Sequence, residues 1–108
     1  MNILFVCSRN KWRSATAETI FKNHSQHQIC SAGTAPSARI KLNLGHILWA
    51  DLIFVMEKKH KQRIAKKFND EIVNKRIIIL DIPDDYQYMD ESLIEELQTK
   101  TKDYLLLT

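Results

Sequence analysis

Three short runs along the chain are almost continuously apolar: "NILFV" (2–6), "LIFVM" (52–56) and "RIIIL" (76–80). Rich in β-branched and aromatic residues and only about five residues long, they have the pattern of strands covered on both faces in a parallel sheet. A weaker run, "HQIC" (27–30), predicts a fourth strand between the first two. Helical periods fill the gaps, through Ala17, Ile20 and Phe21 after the first run and Ile64, Ala65 and Phe68 after the run at 52–56. Around residues 92–106, Leu93, Ile94, Leu97, Tyr104 and Leu105 recur at helical spacing, and Ser92 with Glu95 offers a capping-box start. Residues 39–49, "RIKLNLGHILW", read as a short helix through Leu42, Leu44, Ile47 and Leu48, which Gly45 weakens.

Strands that alternate with helices require crossover connections, and those are right-handed. The expected fold class is therefore α/β: a three-layer, doubly wound, four-stranded parallel sheet with helices on both faces. In such sheets ligands bind outside the carboxyl ends of the strands. Three segments then share one edge, "CSRNKWRS" after the first strand, "EKKH" after the run at 52–56 and "DIPDDYQY" after the last.

Composition narrows the picture without changing it. A chain of 108 residues with 44% hydrophobic and 27% charged residues, and no repeat or low-complexity tract, suits a single domain over 1–108. No run approaches the ~20 apolar residues of a membrane span, and "MNILFVCSRN" has no signal-peptide pattern, so a cytoplasmic protein without a membrane partner is expected. The net charge is only +3, and "EKKHKQRIAKK" has no interleaved aromatics, so it reads as a solvated helix face rather than a nucleic-acid patch. Cys7 and Cys30 lie outside any CxxC pair and are expected to be free, with Cys30 packed in the core. Trp49 likewise reads as packing. His24, His27, His46 and His60 show no ligand spacing, so surface roles are expected and no metal or organic cofactor is.

The chemistry concentrates in "VCSRNKWRS" (6–14). A strand that turns into a helix through about six residues directs backbone N–H groups inward at the positive end of the helix dipole, which makes an anion nest. Cys7 would sit at its centre, where N–H groups, dipole and Arg13 all favour the thiolate. Arg13, in the first helical turn, can offer its planar fork to two oxygens of a tetrahedral anion. A phosphate monoester fits this arrangement, with Cys7 as nucleophile and a carboxylic acid from "DIPDDY" to protonate the leaving oxygen. Asp81, Asp84 and Asp85 are the candidates. A phosphate or sulfate nest without turnover is the plainer alternative for the same residues.

"ILFVCSRNKWRSATAE" resembles the opening of the low-molecular-weight protein tyrosine phosphatases: an apolar strand, then Cys, five residues, Arg and Ser, then a helix with Ala-Glu in its first turn. "SAGT" (31–34) is similar to that family's second-strand exit and "ADLIFVM" (50–56) to its third strand. The resemblance implies a cysteine-dependent protein tyrosine phosphatase, a hydrolase without cofactors acting on a phosphotyrosine protein or a small aryl phosphate, as a monomer or weak homo-oligomer. It implies Cys7 as nucleophile, Arg13 on the phosphoryl oxygens, Ser14 donating to the thiolate, and Asn10 as the loop asparagine in a left-handed turn, anchored by Ser31. Ser8, Arg9, Lys11 and Trp12 complete the substrate-binding loop. The family's acid is an Asp-Pro followed by aromatics. Here, in a departure from that order, Pro83 precedes Asp84 and Asp85; Asp84 is the first choice because Tyr86 then sits two residues on, as one of the family's aromatics does, with Tyr86 and Tyr88 walling the entrance and Asp81 and Asp85 as alternatives.

Departures from the family also carry expectations. Members are usually about half as long again, so the substrate rim should be shallow. Arg9 replaces a small residue, and Trp12 stands where the family can place a second cysteine, so no redox switch is expected there. Thioredoxin-coupled arsenate reductases share this fold and loop, but need two further cysteines that residues 50–75 do not contain.

Overall fold

The computed structural model describes residues 1–105 of the chain, so residue 106 of the expected closing helix lies outside the described residues. Four strands form one parallel sheet: β1 (Asn2–Cys7), β2 (Gln28–Gly33), β3 (Leu52–Val55) and β4 (Arg76–Ile79), in the order β2-β1-β3-β4. The helices are α1 (Arg13–Phe21), α2 (Leu44–Trp49), α3 (Lys58–Lys67) and α4 (Glu91–Leu105). This is the doubly wound α/β architecture that the alternation of runs predicts.

Side-chain alternation along β1 sorts the core into two layers. Ile3, Phe5 and Cys7 face one side, where they join Ala17 of α1 and Leu93, Leu97 and Leu105 of α4. Leu4 and Val6 face the other, packed with Ile47 of α2 and Ile64 of α3. Phe5 is wholly buried between Phe21 and Phe54, with ring centroids 5.7 and 5.1 Å away. Burial of a side chain of that size contributes roughly 1.5–3 kcal/mol. Because β1 is central and its partners are parallel, the carboxyl ends of β1, β3 and β4 open on the same edge.

Two elements differ from the sequence expectation. The helix expected over 39–49 begins only at Leu44, capped by Asn43, because the preceding backbone is extended: Gly33 exchanges hydrogen bonds with Ile40 and Leu42 across a parallel bridge to Lys41. At the start of α4 the cap is Asp90 rather than Ser92, since the Asp90 carboxylate accepts from the Ser92 N–H at 2.8 Å and its carbonyl from the Ile94 N–H. An acceptor one residue before the first helical position satisfies orphan N–H groups that Ser92, inside the helix, cannot reach.

Candidate active site at the end of β1

Residues 8–12 connect β1 to α1, and the segment after β2 determines how they are turned. The carbonyls of Cys7, Ser8 and Arg9 accept from the N–H groups of Thr34, Ala35 and Arg39 at 3.0, 2.8 and 2.9 Å, and the Asn10 carbonyl accepts from Arg39 Nε at 2.9 Å. A trans peptide points its C=O and the following N–H in opposite directions. With four carbonyls turned outward, the next N–H groups are turned inward, and that of Asn10 donates to Cys7 Sγ at 3.2 Å. Gly33 makes the close approach possible, because a Cβ there would stand 2.5 Å from the Ser8 carbonyl oxygen. Asn10 adopts φ 57°, the left-handed conformation expected of it in a loop without glycine.

Cys7 is buried at the floor of this loop, with Sγ 3.0 Å from Ser14 Oγ. Asn10 Nδ2, which can only donate, reaches the same hydroxyl at 2.7 Å. Ser14 therefore accepts from Asn10 and keeps its own hydrogen for the sulfur, a donor aimed at a thiolate.

Arg13 is 2% exposed although it is the first residue of α1. Its Nη1 donates to Glu57 Oε1 at 2.5 Å and to the Ile82 carbonyl at 2.9 Å, which uses both hydrogens of that nitrogen. The Nε–Nη2 edge is left for a ligand, and Asp84 Oδ1 lies 3.6 Å from Nε. Burial opposes the ionisation of Glu57, but the hydrogen bond and charge of Arg13, helped by Lys59 and His60, hold its carboxyl below the usual range.

The histidine expected at the surface of α3 is instead a buried part of this site. His60 Nδ1 accepts from the Glu57 N–H at 3.0 Å, closing the first turn of α3. The proton must then sit on Nε2, which lies 2.9 Å from Ser8 Oγ and donates to it. Burial, reinforced by the Arg13 charge, lowers the ring pKa to about 4. A neutral imidazole thus holds the Ser8 oxygen and leaves the Ser8 hydrogen to point elsewhere.

These groups line a cavity of about 450 Å³ formed by Cys7, Ser8, Arg9, Lys11, Trp12, Arg13, Ala35, Arg63 and Asp84. Trp12 is 42% exposed at its rim. Of the three candidate aspartates, only Asp84 reaches this cavity. Asp81, at φ 56°, turns the chain away after β4 and lines a separate hollow with Glu57, Lys58, Lys59 and Pro83, while Asp85 is exposed. Tyr86 departs from its expected place at the entrance: its ring packs on the α1–α4 side of the core and its hydroxyl donates to Glu96 at 2.9 Å, which draws it toward α4. Tyr88 bonds Thr19 instead, at 2.7 Å. Ser31 does not anchor Asn10, because the Glu18 carboxylate takes its hydroxyl. Cys30 is half-buried, with its thiol pKa raised by burial and by Glu18. Trp49 packs against the α2–α3 side of the core.

The sequence places "EKKH" on the shared edge and His60 at the surface, but singles out no role in the site for Glu57, His60, Arg63 or Arg39. The place of "EKKH" directly after a buried strand was the available signal for the first two. Nothing in the spacing marks the other two. Among the described residues no group of three His, Cys, Asp or Glu side chains could hold a metal ion, and no helix is long and apolar enough to cross a membrane.

The family model of the low molecular weight phosphotyrosine protein phosphatases matches residues 2–50, which include the whole Cys7–Ser14 loop. Over those residues the chain resembles these phosphatases. Its fold agrees over nearly the full length. The YwlE arginine phosphatase from Geobacillus stearothermophilus is 22% identical with a TM-score of 0.79, over 96% of this chain and 90% of that one. The tyrosine phosphatase Wzb from Escherichia coli K30, in complex with phosphate, is 21% identical with a TM-score of 0.76, over 96% and 95%. A YwlE mutant from Bacillus subtilis is 25% identical with a TM-score of 0.64, over 97% and 90%. No curated protein matches the chain. By family model over residues 2–50 and by fold over nearly its full length, what the chain is similar to is a phosphatase, a class of hydrolases.

Proposed function

We propose that the chain is a cysteine-dependent phosphomonoesterase of the tyrosine phosphatase type, working through a phosphocysteine. The observation that carries the reading is the surrounding of Cys7 Sγ by the Asn10 N–H, the Ser14 hydroxyl and a loop whose carbonyls from Cys7 to Asn10 are turned away. The thiolate attacks phosphorus in line, forming the S–P bond as the ester P–O bond breaks. Charge on the transferring oxygens falls on the inward N–H groups and on the free edge of Arg13. Asp84, at the cavity wall, gives its proton to the leaving oxygen. As a carboxylate it then takes a proton from water, which attacks phosphorus, breaks the S–P bond and releases phosphate.

The rim supports an aryl ester as substrate. Arg9, Lys11 and Arg63 line the cavity against a single carboxylate, so a cationic leaving group such as the guanidinium of phosphoarginine meets repulsion where a tyrosine does not. Trp12 offers an exposed ring to the aryl group. Hydrolysis of p-nitrophenyl phosphate in the presence of chelator, by the intact chain and by Cys7→Ser, tests the reading. Turnover that survives chelator and disappears in Cys7→Ser is expected. Phosphate binding without turnover by the intact chain would leave an anion nest that has no chemistry.

A further inference from the structure

A second cleft adjoins the Cys7 cavity and shares a residue with it. It is lined by Lys11, Ala15, Glu18, Thr19, Lys22, Arg39 and Tyr88, with a volume of about 400 Å³. Three of these side chains are cationic. Lys11, exposed at the tip of the loop, belongs to both cavities. Arg39 is fixed beside the loop by the bond from its Nε to the Asn10 carbonyl, and its terminal nitrogens lie beyond that anchor. Thr19 and Tyr88 hydroxyls, bonded to each other at 2.7 Å, form the far wall and add polar atoms. One carboxylate opposes the three cations, and its Oε1 is occupied by the Ser31 hydroxyl. The neighbouring hollows are more balanced: the one on the other side of the site sets Asp81 and Glu57 against Lys58 and Lys59, and the one beyond Tyr86 sets Glu95 and Glu96 against Lys100.

We infer that this cleft is a second anion subsite, which takes a carboxylate flanking the phosphorylated tyrosine when the phosphoryl group enters the Cys7 cavity. The inference rests on the phosphatase reading for the first site and adds the substrate class, an acidic phosphotyrosine segment. Lys11 sits between the two anions and serves both. Exposed ion pairs are individually weak, so selectivity comes from three cations acting on one or two carboxylates, on the order of tenfold in affinity at low salt, and screening should erode it.

Binding to full-length Cys7→Ser separates this inference from catalysis. Three phosphotyrosine peptides of equal length, with Asp/Glu, Ser/Ala or Lys flanks, would be titrated while Trp fluorescence is followed at low and high salt. The expected order is acidic, neutral, basic, with the acidic advantage about tenfold at low salt and shrinking at high salt. Lys22→Glu, remote from the Cys7 cavity, should cut that advantage several-fold and weaken the neutral peptide far less. Equal affinities for acidic and neutral peptides, an advantage untouched by Lys22→Glu, or no binding of any phosphopeptide would each overturn the subsite. Failure of the phosphatase reading shows differently, as peptides that bind in the expected order while the intact chain leaves p-nitrophenyl phosphate unhydrolysed.

Discussion

The two loops that meet over the cavity are built on opposite plans. The loop from Cys7 to Ser14 has its backbone tied down on the outside by residues 34–39, its asparagine and serine hydrogen-bonded inside, and its arginine clamped by Glu57 and the Ile82 carbonyl. The loop from Asp81 to Met89 begins and ends on left-handed residues, and most of what lies between is exposed. Its ties run mostly through side chains spaced along it: Lys100 on the Asp81 carbonyl, Arg13 on the Ile82 carbonyl, Tyr86 on Glu96, Tyr88 on Thr19 and the Met89 N–H on Thr16 Oγ1. On the proposed mechanism the first loop must hold a sulfur and a phosphoryl group in close register, whereas the second needs only to bring one carboxyl group within reach of the leaving oxygen. Substitutions should therefore be costly throughout the first loop and at Asp84 alone in the second.

The largest effect short of removing the nucleophile is expected at Arg13. Arg13→Lys keeps the charge but cannot bond Glu57 and the Ile82 carbonyl while also offering two parallel donors to phosphate. Loss of such transition-state donors typically costs ~10²–10³ in kcat, and steady-state kinetics on an aryl phosphate would measure it. A loss of only a few-fold would mean that the inward N–H groups carry nearly all of the oxyanion charge.

Next comes the proposed acid. Asp84→Asn should lower kcat by about 10² or more and flatten the basic limb of the pH profile, with phosphate affinity kept. Asp81→Asn and Asp85→Asn should change kcat less than tenfold, because neither carboxylate reaches the cavity. If Asp81→Asn were the damaging change, the loop would have to rearrange around substrate, and the contrast between a rigid and a loose loop would extend to their motions.

Smaller, and confined to the rigid side, is the contribution of His60. Its pKa is lowered to about 4 in the folded chain from 6.5, so the unfolded chain binds the extra proton first. Stability from the neutral ring is complete above pH 6.5 and falls as the pH drops toward 4, with a slope of up to about 1.4 kcal/mol per pH unit. Glu57, with its pKa held low, adds a loss of the same sign only below about pH 4.5. Chemical denaturation at pH 7 and pH 5 should therefore show a smaller pH dependence in His60→Gln than in the parent, whatever its absolute stability. An unchanged difference between the two pH values would mean that the ring is already charged in the folded chain.

Much of this was legible because local rules and the fold agree. Apolar runs of five residues mark strands buried on both faces, and the edge they share follows from the crossover rule, so Cys7, Arg13 and the carboxylates of "DIPDDY" fall together before any coordinate is known, while the choice of Asp84 among them came from the family resemblance. Asn10 was readable for its conformation, since a tight loop without glycine needs a residue tolerant of positive φ. What was hidden depends on side-chain choice among near-equal partners. Tyr86 could face the cavity or α4, and Glu96 decides for α4. His60 looked like one polar residue among lysines, because the periodicity of "EKKHK" does not say which position turns inward.

Ser31 offers the finest test of the same distinction. From the sequence it anchors Asn10; in the structure its hydroxyl is held by Glu18, and Asn10 leans on Ser14 instead. Ser31 is buried, so Ser31→Ala removes one charge-assisted bond, and a loss of about 1–3 kcal/mol in stability is expected. Phosphate affinity and kcat should barely move, because no bond in the Cys7–Asn10–Ser14 chain passes through residue 31. Ser14→Ala takes the donor from the sulfur and the acceptor from Asn10 together, and should lower kcat at least several-fold more than Ser31→Ala does. A Ser31→Ala enzyme as impaired as Ser14→Ala would show that the loop's rigidity reaches back into β2, with Glu18 serving as the link between strand and loop.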